Sequence, residues 1–429
     1  MQNWVLTELD SGERVISERL EHVRSAAIGF WIGAGARDED AGEAGVTHFI
    51  EHLLFKGTER YSALEIAEIF DGLGGELNAA TSREHTLVYA RIPDHHLETA
   101  IDVMSDMVFV PAFAELDAER EVVLEEIAMY DDAPQELVHD LIAEAVFGEH
   151  PLGRPVIGTA EVISSIPRDA IQRYHGAMYV PENIVVAAAG NIDHERVVEL
   201  ISRGLERRDG SGTQHPNVRP PLVQAPPPQL RFLRKDTEQY HVCLAAPGIS
   251  RSDRRRFPAS LLDAILGGSA SSRLFQEIRE KRGMAYAVYS FVSQYTDTGQ
   301  IGVYLGTRED NLADALAITA EQIADIAAGN LAAREVERAK ENLKGRILLS
   351  MESTSARMNR LGKSLITDSE LLSLDRIVAE IDAVEADSIA ELAAALLAQD
   401  RLSAACIGPS EERFLAALER VTPGLARAA

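Results

Sequence analysis

His48, Glu51 and His52 stand together in one otherwise apolar run, "EAGVTHFIEHLLFKGT", residues 43–58. At about 100° per residue a helix puts Glu51 roughly 60° to one side of His48 and His52 about 40° to the other. Val46, Phe49, Ile50, Leu53 and Leu54 fall on the opposite side, so the spacing predicts an amphipathic helix with the three ionisable groups on one face. Lys56-Gly57 supplies a plausible helix end. Two imidazoles at i and i+4 can present ring nitrogens to one metal ion, and zinc accepts imidazole readily. A carboxylate set between them can take a proton from water held by the metal. The order H-x-x-E-H is the inverted form of the zinc-hydrolase motif.

Such a site needs a further protein ligand. "LDAEREVVLEEIAMYDDAP", from Leu116, offers acids on a second expected helix. Glu119, Val122, Val123, Glu126 and Ile127 share one side of that helix, whereas Glu121 and Glu125 face away as solvated charges. A carboxylate aimed into an apolar face is costly unless it is paired or metal-bound. Glu126 is therefore the expected third ligand. Glu119 suits a supporting role, orienting a ligand or tuning the water.

The elements that must hold these residues fall into two similar halves. "RRDGSGTQHPNVRPPLVQAPPPQ", residues 207–229, is too rich in Pro and Gly for regular structure and reads as a linker. It separates an expected N-terminal domain, 1–206, from an expected C-terminal domain, 230–429. Each half opens with a strand, "SAAIGFWIGAG" and then "QYHVCLAAPG". Each continues with a helix, a Gly-rich turn and a hairpin, and closes with a strand and helix, "NIVVAAAGN" and "LSAACIG" giving the strands. "HTLVYARIPDHHLETAIDVMSDMV" and "GQIGVYLGTREDNLADALAITAEQIADI" repeat the same strand, turn and helix. The expected fold class is α+β: two duplicated units, each a mostly antiparallel sheet packed with helices.

Composition narrows the partners. Of 429 residues, 46% are hydrophobic and 26% charged, as in ordinary globular proteins with sizeable cores. The formal net charge of −26 argues against nucleic acid or an anionic membrane surface as partner. Cys243 and Cys406 are too few and too far apart for a disulfide framework or a cysteine-based zinc site. No apolar run is long enough to span a membrane. "MQNWVLTELDSGERVI" has the look of a strand, a turn and a strand rather than a targeting segment, so a cytoplasmic location is expected.

With these motifs in hand, the chain resembles the pitrilysin/insulinase family of zinc peptidases, which includes the mitochondrial processing peptidases. In that family H-x-x-E-H is completed by a Glu some seventy-odd residues on, matched by Glu126, with another Glu seven residues earlier, matched by Glu119. The resemblance implies one zinc per chain on His48, His52 and Glu126, with Glu51 as general base. "GGELNAATSREHTLVYARI" resembles the family's edge strand beside the metal, which implies that Asn78, Ala79 and Ala80 bind an extended peptide as an added strand. "GGSASSRLFQEIREKRGMAYAVYS" resembles the family's second signature, an Arg and a Tyr seven apart, here Arg279 and Tyr286. In the family this pair comes from a half without metal and reaches the substrate: Tyr for the oxyanion, Arg for backbone carbonyls. The second half here lacks H-x-x-E-H and is expected to carry no metal. The implied activity is metalloendopeptidase action on extended peptides or unfolded segments. The implied assembly is a homodimer, or a heterodimer with a metal-free sister chain. A non-catalytic scaffold subunit of the same fold is the alternative, disfavoured because the motifs are complete.

Overall fold

A computed structural model describes residues 4–208, 219, 221–222 and 224–428. Most of the expected linker 207–229 thus lies outside the described residues. The chain forms two compact units, one of Met1–Ala128, Arg154–Pro220 and Leu348–Ser373, the other of Met129–Gly153, Pro221–Ile347 and Leu374–Ala429.

Among the described residues the first unit carries six strands: β1 (Trp4–Glu8), β2 (Arg14–Arg19), β3 (Ser25–Ile32), β4 (Glu76–Thr81), β5 (Thr86–Pro93) and β6 (Ile184–Gly190). They are ordered β1-β2-β6-β3-β5-β4, and only the β2–β6 pair is parallel. The second unit carries β7 (Leu230–Arg234), β8 (Tyr240–Gly248), β9 (Ala285–Gln294), β10 (Gly299–Thr307) and β11 (Ser403–Gly408), ordered β7-β11-β8-β10-β9. Here only β7–β11 is parallel. Removing β1 leaves the two sheets with the same order and the same strand directions, which is the duplication expected from the order of elements. Under that match the free edge strand β4 corresponds to the free edge strand β9.

Helices that position the site come from the first half of the sequence: α1 (Val46–Leu54), α2 (Ala63–Leu73), α3 (Leu97–Phe109) and α4 (Leu116–Asp131), followed by α5 (Pro134–Phe147). Residues of α1 to α4 share one hydrophobic core with β3, β5 and β6, in which Phe30, Phe49, Ile50, Val103, Met104 and Val123 are fully buried. The central strands β3 and β6 are apolar on both faces, with seven consecutive buried residues in each. A second layer must therefore cover the other face.

That layer crosses between the sequence halves. Helix α5 belongs to the second unit, where Val138, Ile142 and Val146 pack with Cys243, Ala245, Ala405 and Ile407. The helix Thr354–Ile366 belongs to the first unit, where Met358 and Leu361 pack with Ile16, Trp31, Val185 and Ala187. The contiguous halves 1–206 and 230–429 each supply the strands of one sheet, and each sheet takes one covering helix from the other half.

Candidate metal centre

Helix α1 starts at Gly45, whose φ of 93° suits glycine; a Cβ there would meet the Ile157 carbonyl oxygen at 2.7 Å. Gly45 has no side chain to cap the helix. Glu39, buried in the preceding loop, does so instead: its carboxylate accepts from the main-chain N–H of Gly45 and of Thr47, each at 2.8 Å. Burial pushes the Glu39 carboxyl up to about 7, opposed by those two N–H groups and by Arg154. On the inner side of α1, Val46, Phe49, Ile50, Leu53 and Leu54 are fully buried. His48, Glu51 and His52 are left partly open on the other side, as the periodicity predicts.

Helix α4 brings the acids. Glu126 Oε2 lies 3.2 Å from His52 Nε2 and 3.8 Å from His48 Nε2. One donor atom from each of His48, His52 and Glu126 falls within 4.8 Å of the other two, so the three side chains converge on a volume that one ion can fill. The imidazole planes stand 71° apart with centroids 4.7 Å from each other. Glu119 is buried, its side chain 6% exposed, and its Oε1 accepts from His52 Nδ1 at 2.9 Å. Because a carboxylate accepts, that bond sets a proton on His52 Nδ1 and turns Nε2 toward Glu126. The other carboxylate oxygen of Glu119 sits 2.5 Å from Lys56 Nζ. Burial, with the neighbouring His52 ring adding to it, lowers the His48 pKa to about 4, which leaves its imidazole uncharged at neutral pH. Among the described residues its Nδ1 has no hydrogen-bond partner, so no neighbour fixes its tautomer as Glu119 does for His52. Two imidazoles and a carboxylate, with one imidazole oriented by a second carboxylate, form a donor set that fits zinc.

Glu51 accepts from the Thr81 hydroxyl at 2.5 Å. Burial raises its carboxyl above the usual range; the Thr81 bond and His52 oppose that rise, and Glu126 adds to it. Thr81 ends β4, the free edge strand, so the strand and Glu51 are tied directly. Asn78 and Ala80 on β4 are exposed, whereas Ala79 is buried toward the core. The Asn78 side chain accepts from the N–H of Ala79 at 2.8 Å.

Two expectations about α4 are corrected. Val122 was placed with the core residues by its angle, yet it is half-exposed. Glu126 is 36% exposed along its side chain, not sunk in apolar surroundings. The core side of the helix is narrower than the angles suggested, with Leu116, Glu119, Val123 and Ile127 buried. Glu121 and Glu125 are exposed as expected. From sequence Lys56 was read only as part of a helix end and Thr81 only as part of the edge-strand stretch, and neither they nor Glu39 was given a role at the site. Thr81 could have been found, since alternation along β4 sets it on the same side as the buried Ala79.

Arg279 and Tyr286 lie in the second unit, and the structure brings them together. The Arg279 guanidinium carbon is 4.7 Å from the Tyr286 ring centroid. Tyr286, on the edge strand β9, is 77% exposed. No helix among the described residues is long and apolar enough to cross a membrane.

Residues 14–160 match the family model for "Insulinase (Peptidase family M16)", and residues 165–343 match that for "Peptidase M16 inactive domain". An "uncharacterized zinc protease" of Streptomyces coelicolor is 42% identical over 415 residues, covering 95% of this chain and 90% of its own length. A Bacillus subtilis protein of the same description is 39% identical over 402 residues, covering 93% and 97%. Two crystal structures share the fold at 21% identity. One is a protease from Helicobacter pylori, with a TM-score of 0.88 over 95% of this chain and 99% of that one. The other is described as a peptidase M16 inactive domain from Pseudomonas fluorescens, with a TM-score of 0.87 over 95% and 98%.

Proposed function

Since the chain belongs to the insulinase family of peptidases, M16, we propose that it is a zinc-dependent endopeptidase acting on extended peptides or unfolded segments. The observation that carries this is the convergence of His48, His52 and Glu126. These three side chains hold the zinc, which when bound supplies Lewis-acid activation of water and of the scissile carbonyl.

This chain's own groups do the rest. Glu119 accepts from His52 Nδ1 and turns Nε2 toward Glu126. Glu51, steadied by the Thr81 hydroxyl, takes the proton of the attacking water and passes it to the leaving amine. The free edge of β4 binds the peptide through main-chain hydrogen bonds, which accept many sequences. Asn78, Ala79 and Ala80 lie along the bound strand. The Tyr286 hydroxyl donates to the oxygen that gains charge, and Arg279 binds peptide carbonyls. The chain works as a homodimer in the cytoplasm.

Glu51→Gln tests the proposal. The variant is expected to keep its fold and its zinc, and to lose about 10²–10⁴-fold in the rate of cleaving a quenched peptide. A purified variant that cleaves as fast as wild type would remove Glu51 from the chemistry.

A further inference from the structure

Phe275–Glu280, just before the turn to β9, is a π-helix, closed by a bond from Lys281 N–H to the Gln276 carbonyl at 3.0 Å. Full π turns are rare and gather at functional positions. This one is braced at its start by Arg273, which bonds Asp325 at 2.7 Å, Glu335 at 2.8 and 2.9 Å and the Asn330 carbonyl at 2.7 Å. Its middle is pinned by the fully buried Ile278. Its end is closed by Gly283, at φ 60°, and by a bond from Met284 N–H to the Ile278 carbonyl at 2.9 Å.

On this segment Arg279 is held differently from Arg273. Its guanidinium carbon lies 4.6 Å from the Phe275 centroid and 4.7 Å from the Tyr286 centroid. Its one ion-pair partner among the described residues is Glu280, at 3.6 Å, beyond hydrogen-bond distance. The chain has 68 acidic residues against 42 Lys and Arg, so a cation gripped by rings instead of carboxylates is a departure from its surroundings. Rings engage the face of a guanidinium, whereas its N–H groups point outward in the plane. Among the described residues no hydrogen bond engages the Arg279 guanidinium donors, and the side chain stays 35% exposed.

We propose that Phe275 is a positioning residue: through its ring it holds Arg279 so that the guanidinium N–H edge meets backbone carbonyl oxygens of a peptide. The peptide in this statement rests on the proposed function; the clamp itself does not. Carboxylate pairing would hold the arginine equally well but would occupy the donors that the peptide needs.

Two variants test it. Phe275→Leu keeps apolar bulk and removes the ring; Phe275→Tyr keeps the ring. Phe275→Leu is expected to raise KM for a quenched peptide about three- to tenfold, with kcat changed less, and Phe275→Tyr to restore it. In an Arg279→Gln background, Phe275→Leu is expected to add nothing. An unchanged KM, or an equal penalty in both backgrounds, would overturn the proposal. Nitrogen relaxation at Arg279 Nε reads the clamp without any activity: the side chain is expected to loosen in Phe275→Leu and to stay ordered in Phe275→Tyr. Equal order in wild type and Phe275→Leu would overturn the clamp. A zinc-loaded wild type that cleaves no peptide would instead defeat the proposed function, and the relaxation result would still decide the clamp.

Discussion

Replacing Glu119 by Gln removes one charge and almost no volume. In the folded chain Glu119 is almost buried and bridges two groups, His52 Nδ1 at 2.9 Å and Lys56 Nζ at 2.5 Å. A hydrogen bond to a charged acceptor contributes about 1.5–3 kcal/mol and a neutral one about 1 kcal/mol, so the exchange weakens the hold on His52 by about 0.5–2 kcal/mol. The His52 ring also loses electron density when its partner is no longer anionic, which weakens its Nε2 as a donor. Together these place the loss of zinc affinity at about 10- to 100-fold. Lys56 is part-exposed and can turn to water, so the substitution strands no buried cation. Competition against a chromophoric chelator at fixed neutral pH measures the effect, with Glu125→Gln, on the same helix but exposed, as the control. Weakened binding in Glu119→Gln alone is expected. Equal affinity in wild type and Glu119→Gln would refute the idea that Glu119 sets the His52 tautomer.

Other expectations concern the supports of the site. Glu39 binds its proton more tightly folded than unfolded, so its contribution to stability is full below about pH 4.5 and is lost as pH rises through about 7, a fall of about 3 kcal/mol. Relative to wild type, Glu39→Gln should therefore gain stability across that window in urea unfolding; a constant difference from pH 4.5 to 8 would contradict the buried-carboxylate account. Gly362 lies on the helix Thr354–Ile366, and a Cβ there would stand 2.0 Å from Trp31 Nε1. Gly362→Ala should cost about 1–3 kcal/mol by forcing that helix off the sheet, read as a lower melting temperature; an unchanged melting point would show that Trp31 yields freely.

Much of this arrangement is local and hence legible. The spacing of His48, Glu51 and His52 against five apolar residues fixes which side of α1 faces the core, because burial follows helical period. Angles on α4 separated the buried Glu119 from the exposed Glu121 and Glu125 in the same way. They failed for Val122, since angle gives a direction but not the width of the contact. The repeated order of strands and helices was visible because each half carries its own turn signals. Which sheet α5 and the helix Thr354–Ile366 cover was not visible: an apolar stripe asks for a partner without saying which one. Glu39 capping α1, Lys56 meeting Glu119 and Phe275 under Arg279 depend on approach in space, and composition and period carry no record of that.

Anomalous diffraction at the zinc edge, from crystals of the zinc-loaded chain, puts the central claim to its most direct test. A single peak is expected at roughly 2.0–2.2 Å from a ring nitrogen of His48, a ring nitrogen of His52 and a carboxylate oxygen of Glu126. A peak bound elsewhere, or zinc-loaded crystals with no peak between these three side chains, would contradict it.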